Sequence, residues 1–193
     1  MLGAAGSPWV YPATALLIVL DAFLIIIPSE TVVVALGALA MSSGSPNVWL
    51  LIPVAAISAV IGDNLCFAIG RQVGTSRFAW MRRPRVERAI HVAQRAIDRR
   101  PASIILTARY VPFARIAVNL TAGATGFSYR RYLPLTVLAG SCWAVFNVVV
   151  GASVGALFPD QPLAGVLVAV VAAVILGVLV DTVVQWTQRK HDR

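Results

Sequence analysis

Residues 101–131 read PASIILTARYVPFARIAVNLTAGATGFSYRR, apolar enough to lie in hydrocarbon yet carrying Arg109 and Arg115 on either side of Pro112. An arginine at the centre of a membrane helix costs roughly 2.5–3.5 kcal/mol on insertion scales, so two facing lipid would cost about 5–7 kcal/mol. Both must therefore face protein or water. Pro112 lacks a backbone donor and pushes Val111 away from helical geometry, which breaks the segment between its two arginines. A segment broken in this way can turn back to the face it entered from.

The surrounding chain has the composition of an integral membrane protein. Of its 193 residues 59% are hydrophobic and only 12% charged, far from the roughly 25% charged usage of soluble domains. A net charge of +8 would suit a nucleic-acid partner, but the basic residues bunch in one loop and one tail. That is how the cytoplasmic flanks of membrane spans read, and no nucleic-acid partner is expected. Cys66 and Cys142 fall inside apolar runs and read as small core residues rather than as a disulfide or a metal pair, so neither a metal nor a cofactor is expected.

Upstream of the opening stretch, residues 71–100 hold nine arginines, two acidic residues and no apolar run, which makes this loop cytoplasmic by the positive-inside rule. Val86, Ile90, Ala93 and Ile97 recur in it at helical spacing between Pro84 and Pro101, predicting an amphipathic interfacial helix. Residues 48–70 form a membrane span with Gly62-Asp63-Asn64 in its inner third. The polar turn SSGSPN (42–47) precedes it, and before that residues 12–41 run apolar with Asp21, Pro28 and Glu30 inside. Length alone leaves two readings of 12–41, one overlong kinked span or a broken hairpin. Met1 to Tyr11 carries no charge, so it lacks the basic start of a signal peptide, and no cleavage is expected.

Downstream, residues 132–155 form a second span and residues 163–186 a third, which ends in a basic tail. With the 71–100 loop and the tail on one side, those two spans already close the topology. Residues 101–127 are left over and must enter and leave by the same face, as a re-entrant hairpin. The chain also repeats itself: IIIPSETVVVALGALA (25–40) aligns on RYVPFARIAVNLTAGA (109–124), and FAIGRQVG (67–74) on VVVGASVG (148–155). Gly70 and Gly74 thereby match Gly151 and Gly155 as small-xxx-small pairs, which permit close helix approach. The predicted fold is an all-α inverted repeat: two opposed re-entrant hairpins, each followed by a transmembrane helix, plus a C-terminal transmembrane helix in a single membrane domain. Inverted repeats with broken helices bind substrate near the midplane, where the breaks meet.

PSETVVVALGALA, GDNLCFAIGRQVG and above all RYVPFARIAVNLTAGATGFSYRRYL followed by Gly140-Ser141-Cys142-Trp143 resemble the DedA family, also called the SNARE-associated or VTT-domain family, over roughly residues 15–157. The resemblance implies a bacterial cytoplasmic-membrane protein with two opposed hairpins that moves lipids, among them polyprenyl-phosphate carrier lipids and phospholipids, with a link to protons. It implies functional roles for an acidic residue of the first hairpin and the arginine pair of the second, matched here by Glu30, Arg109 and Arg115. The second acid found in some members has no counterpart at Met41, Ser42 or Ser43, which leaves Asp21 and Asp63 as further proton-coupling candidates.

The residues themselves support an anion site. A phosphate headgroup crossing a bilayer needs its charge met throughout, and guanidinium supplies permanent, bidentate donors. Glu30 can neutralise the arginines when the site is empty and take a proton when phosphate arrives. The lesser alternative is that Glu30 and the arginines form a permanent ion pair that only pins the hairpins together, and Asp63 could pair with Arg71, two turns away. Three function classes follow: a translocase for a phosphate-bearing lipid, most of all a polyprenyl phosphate, coupled to protons; an antiporter of ions or small solutes; and a membrane enzyme acting on lipids. The enzyme ranks last, because His91 and His191 both lie outside the predicted core and no serine–histidine or metal-ligand set accompanies them. The sequence leaves room for a homodimer.

Overall fold

The computed structural model describes residues 7–24, 29–79, 81–158, 161, 164–168 and 170–171, and its described part contains helices and no strand. In chain order these are α1 (Val10–Asp21), α2 (Ser29–Ser43), α3 (Val48–Val73), α4 (Pro84–Arg99), α5 (Pro101–Ala108), α6 (Pro112–Ala124) and α7 (Tyr129–Gly155), with residues 164–168 again helical. Pro28 and most of the third span expected at 163–186 lie outside the described residues.

α3 and α7, of 26 and 27 residues, are apolar enough to cross a membrane. At 1.5 Å per residue each is about 40 Å long, more than the roughly 30 Å hydrocarbon core. Asn47 caps α3, its side chain accepting from the Trp49 amide at 2.9 Å, and Gly74 ends the helix at φ 67°, a left-handed position that glycine takes without penalty. Gly74 thus terminates a helix rather than lining a crossing, unlike the role the sequence motif suggested for it. The basic loop folds as α4, whose stripe Val86, Ile90, Ala93 and Ile97 turns inward, with Ile97 fully buried.

The two apolar stretches read as hairpins, 12–41 and 101–127, are both interrupted. α1 ends at Asp21 and the chain is not helical through residue 24, so 12–41 is no continuous helix. In the second stretch α5 stops at Ala108, Arg109 is its C-cap, Val111 is extended at φ −120° and ψ 108°, and α6 restarts with Pro112 in its first turn. Proline is tolerated there because a first-turn N–H has no helical partner to lose.

The repeat is carried by the packing. α2 lies along α7, and α6 lies along α3, so each broken stretch packs on the long helix of the other half. A Cβ on Gly70 would sit 2.1 Å from the Leu120 carbonyl oxygen, and one on Gly123 2.0 Å from that of Phe67; at the other crossing, Gly151 and Gly155 would each bring a Cβ 2.1 Å from the Val34 and Ala38 oxygens. Pro53 and Pro134 stand at matching places inside α3 and α7, the same 81-residue offset that relates Gly70 to Gly151.

The two larger apolar clusters divide the interior. Ile18, Val33, Leu51, Ala55, Ala59, Trp143, Ala144 and Val148 form one; Phe67, Ile97, Ile105, Ala122, Phe127 and Tyr132 form the other. Leu51 to Ala59 of α3 meets the later part of α7, and Phe67 meets its start, so the two long helices run antiparallel. Between the clusters lie Asp63 on α3 and Thr136 on α7, and there the charges collect.

Candidate functional site

The site begins with the chain break. With α5 stopped at Ala108 and α6 restarted at Pro112, Arg109 and Arg115 escape the roughly 120° divergence that six residues impose on a continuous helix. They converge on Asp63 instead. Asp63 Oδ2 accepts from Arg109 Nη1 and, at 3.1 Å, from Thr136 Oγ1; Oδ1 accepts from Arg115 Nε at 2.8 Å and Asn119 Nδ2 at 3.0 Å. Four donors from α5 (at its C-cap), α6 and α7 saturate a carboxylate held on α3. Tyr132 adds a fifth tie, its hydroxyl donating to the Asp63 carbonyl at 3.0 Å.

A second carboxylate shares the load. Asp21, at the end of α1, accepts through Oδ2 from Arg115 Nη1 at 3.0 Å and from Ser29 Oγ at 2.9 Å. Arg115 therefore bridges α1 and α3. Arg109 lies over the Trp143 ring, 5.0 Å from guanidinium carbon to ring centroid, within cation–π range. Both arginines, Asp63 and Asn119 are buried. The pairing offsets the lipid-facing penalty computed from the sequence, since a buried charge persists only when paired and hydrogen-bonded.

Glu30 occupies a different position. Its residue is exposed, yet it lies in the field of Asp21, Arg115 and Arg109 and beside the Trp143 side chain. Among the described residues, the direct carboxylate partners of the arginines are Asp63 and Asp21. Arg71, considered from the sequence as a partner for Asp63, makes no ion pair among them. Thr136, Tyr132 and Ser29 were not singled out in the sequence, although Tyr132, Thr136 and Trp143 recur at helical spacing on α7, a polar line within an apolar span.

Three guanidinium nitrogens remain unused. Among the described residues, buried Arg109 Nε and Nη2 and Arg115 Nη2 have no hydrogen-bond partner. Buried guanidinium N–H groups normally find acceptors, so the cluster has capacity for a further anionic or oxygen-bearing group. No set of His, Cys, Asp and Glu side chains suited to a metal occurs among the described residues.

Two antiparallel apolar helices of spanning length, with interrupted helices packed across them and a charge cluster between two apolar cores, define a helical membrane protein with an internal ionic site. A VTT domain model matches residues 27–153, and the chain belongs to that family. It is 28% identical over 174 residues to an uncharacterized membrane protein of Mycobacterium leprae, covering 88% of this chain and 78% of the relative. Protein DedA of Escherichia coli K12 is 24% identical over 148 residues, 74% of this chain and 68% of that protein. An uncharacterized membrane protein of Mycobacterium tuberculosis is 25% identical over 195 residues, 98% of this chain and 85% of the relative. No solved structure matches the chain.

Proposed function

We propose that the protein is a translocase for a phosphate-bearing lipid, with a polyprenyl phosphate as its first candidate, and that it is a transporter rather than an enzyme. The observation that carries this reading is the set of buried, unpartnered guanidinium N–H groups on Arg109 and Arg115, beside the N-terminus of α6, where backbone amides favour anions. In this reading α1–α2 and α5–α6 are the two opposed re-entrant hairpins, residues 163–186 complete a third span, and the basic loop and C-terminus face the cytoplasm of a bacterial inner membrane.

Phosphate and carboxylate compete for the same cations. Asp63 has every lone-pair site engaged, so it acts as the fixed anchor. Asp21 has one oxygen bonded, and exposed Glu30 faces the cluster from its edge; these two are the groups that yield to phosphate and exchange a proton for it. Glu30→Gln imitates the protonated carboxyl. Its transport is expected to match wild type at acidic pH and no longer to fall as pH rises; a wild-type pH profile in this variant moves proton coupling to Asp21.

The reading is tested with purified protein in liposomes, following translocation of a polyprenyl phosphate with and without a pH gradient. Wild type is expected to move it in a gradient-sensitive manner, and Arg115→Gln to move it at least about tenfold more slowly, the loss of a hydrogen bond to a charged group. Equal rates in the two proteins refute the anion site. Gradient-driven ion flux without lipid movement makes the protein an antiporter.

A further inference from the structure

A second feature lies outside the charge cluster, on the far side of α3. Ile61, Asn64, Leu65, Ala68 and Arg71 recur at three- and four-residue spacing along that helix and, with Phe67 and Tyr129, line an open groove of about 520 Å³. Ile61 and Leu65 are 46% and 43% exposed, on a helix apolar enough to cross the membrane. The Asn64 amide nitrogen donates back to the Val60 carbonyl at 2.7 Å while its Oδ1 is buried without a partner among the described residues; apart from that one side chain, the wall offered by the helix is apolar up to Arg71.

Length and charge identify the occupant. From Ile61 to Arg71 is ten residues, about 15 Å of helix, which is half of the roughly 30 Å hydrocarbon core. The groove therefore runs the depth of one leaflet, from the middle of the span to its end. At that end the exposed Arg71 guanidinium has no carboxylate partner among the described residues, and exposed Arg130 and Arg131 follow Tyr129. An apolar trough one leaflet deep that ends in a guanidinium with no carboxylate partner among the described residues is complementary to a lipid whose headgroup carries a phosphate.

We propose that this groove is a lipid-binding site, distinct from the arginine cluster, in which a chain of a phosphate-bearing lipid lies against Ile61, Leu65 and Ala68 and the phosphate is held by Arg71. Only an aromatic layer separates the two sites. Phe67 lines the groove and stacks on Tyr132 with centroids 4.3 Å apart, and the Tyr132 hydroxyl is the one that holds the Asp63 carbonyl at 3.0 Å. A lipid in the groove thus rests one ring-layer from the ionic site. The inference needs the membrane setting of α3 but not translocation.

The test is lipid retention by the full chain, read by native mass spectrometry after purification with added phosphatidylglycerol or with a diacylglycerol of the same chains. Wild type is expected to retain phosphatidylglycerol over diacylglycerol. Ala68→Trp, from an exposed position, fills the trough and is expected to lower retention of both. Arg71→Gln is expected to lower phosphatidylglycerol at least about tenfold, the size of one charge-assisted contact, and to leave diacylglycerol unchanged. Ile69→Trp, equally exposed on α3 but outside the groove, is expected to behave as wild type and controls for folding. Retention unaffected by either Ala68→Trp or Arg71→Gln, or lowered equally by Ile69→Trp, overturns the proposal. Because retention is read without turnover, a translocase with no groove site and a groove site in a protein that moves no lipid give different results.

Discussion

Asp63→Ala is expected to remove most of the folded protein from the membrane. The substitution leaves Arg109, Arg115, Asn119 and Thr136 without the acceptor on which all four converge. Breaking a buried ion pair by deleting one partner costs about 3–5 kcal/mol because a charge is left uncompensated. Here two buried guanidinium groups lose the same partner, against a total stability of about 5–15 kcal/mol. Asp21→Ala is expected to cost less, about 1–3 kcal/mol: it strips Arg115 of one bond, and the pair is already partly accessible, at 10% and 15% side-chain exposure. The measurement is the fraction of detergent-extracted protein that elutes as a single species, with its thermal midpoint. A midpoint for Asp63→Ala equal to that of wild type, or above that of Asp21→Ala, refutes Asp63 as the anchor of the fold.

That ordering of the acidic residues shows where sequence reading stops. The break at Pro112 was legible because proline lacks a donor and constrains its predecessor, and the structure interrupts the helix between Arg109 and Arg115. The two long spans and the helix in the basic loop were legible for the same kind of reason, since apolar length and helical spacing are local properties. The partner of Asp63 was not. It is 46 residues from Arg109 and 52 from Arg115, and the local alternative, Arg71, is as good by spacing. Eight residues on, a side chain points about 80° away around the helix, which takes Arg71 to the groove face while Asp63 faces inward. The sequence puts Glu30 ahead of Asp21 as the acid that meets the arginines, whereas it is Asp21 that bonds Arg115: both are acids in one apolar stretch, and which of them meets Arg115 depends on how α1 and α2 pack on the long helices.

The repeat makes a paired prediction. Gly70→Ala and Gly151→Ala are expected to be strongly and similarly destabilising, each preventing one broken stretch from seating on the long helix of the other half. The added Cβ would lie 2.1 Å from a backbone carbonyl oxygen in both cases, that of Leu120 and that of Val34. Neither oxygen is the end of a flexible side chain, so relief requires whole helices to separate, and α6 or α2 then loses its packing along the crossing. Overpacking costs about 1–3 kcal/mol where side chains can shift and more where they cannot, so at least about 3 kcal/mol is expected at each site. Gly140→Ala on α7 is the contrast: its Cβ would meet the Val60 Cγ2 methyl at 3.0 Å, a side-chain contact that a small shift absorbs, while alanine favours helix over glycine by about 1 kcal/mol. Its midpoint is expected to stay within a few degrees of wild type. If Gly70→Ala or Gly151→Ala behaves like Gly140→Ala, the two crossings are looser than these contacts require. If only one of the pair is destabilised, the halves are not held by equivalent contacts and the repeat is one of sequence alone.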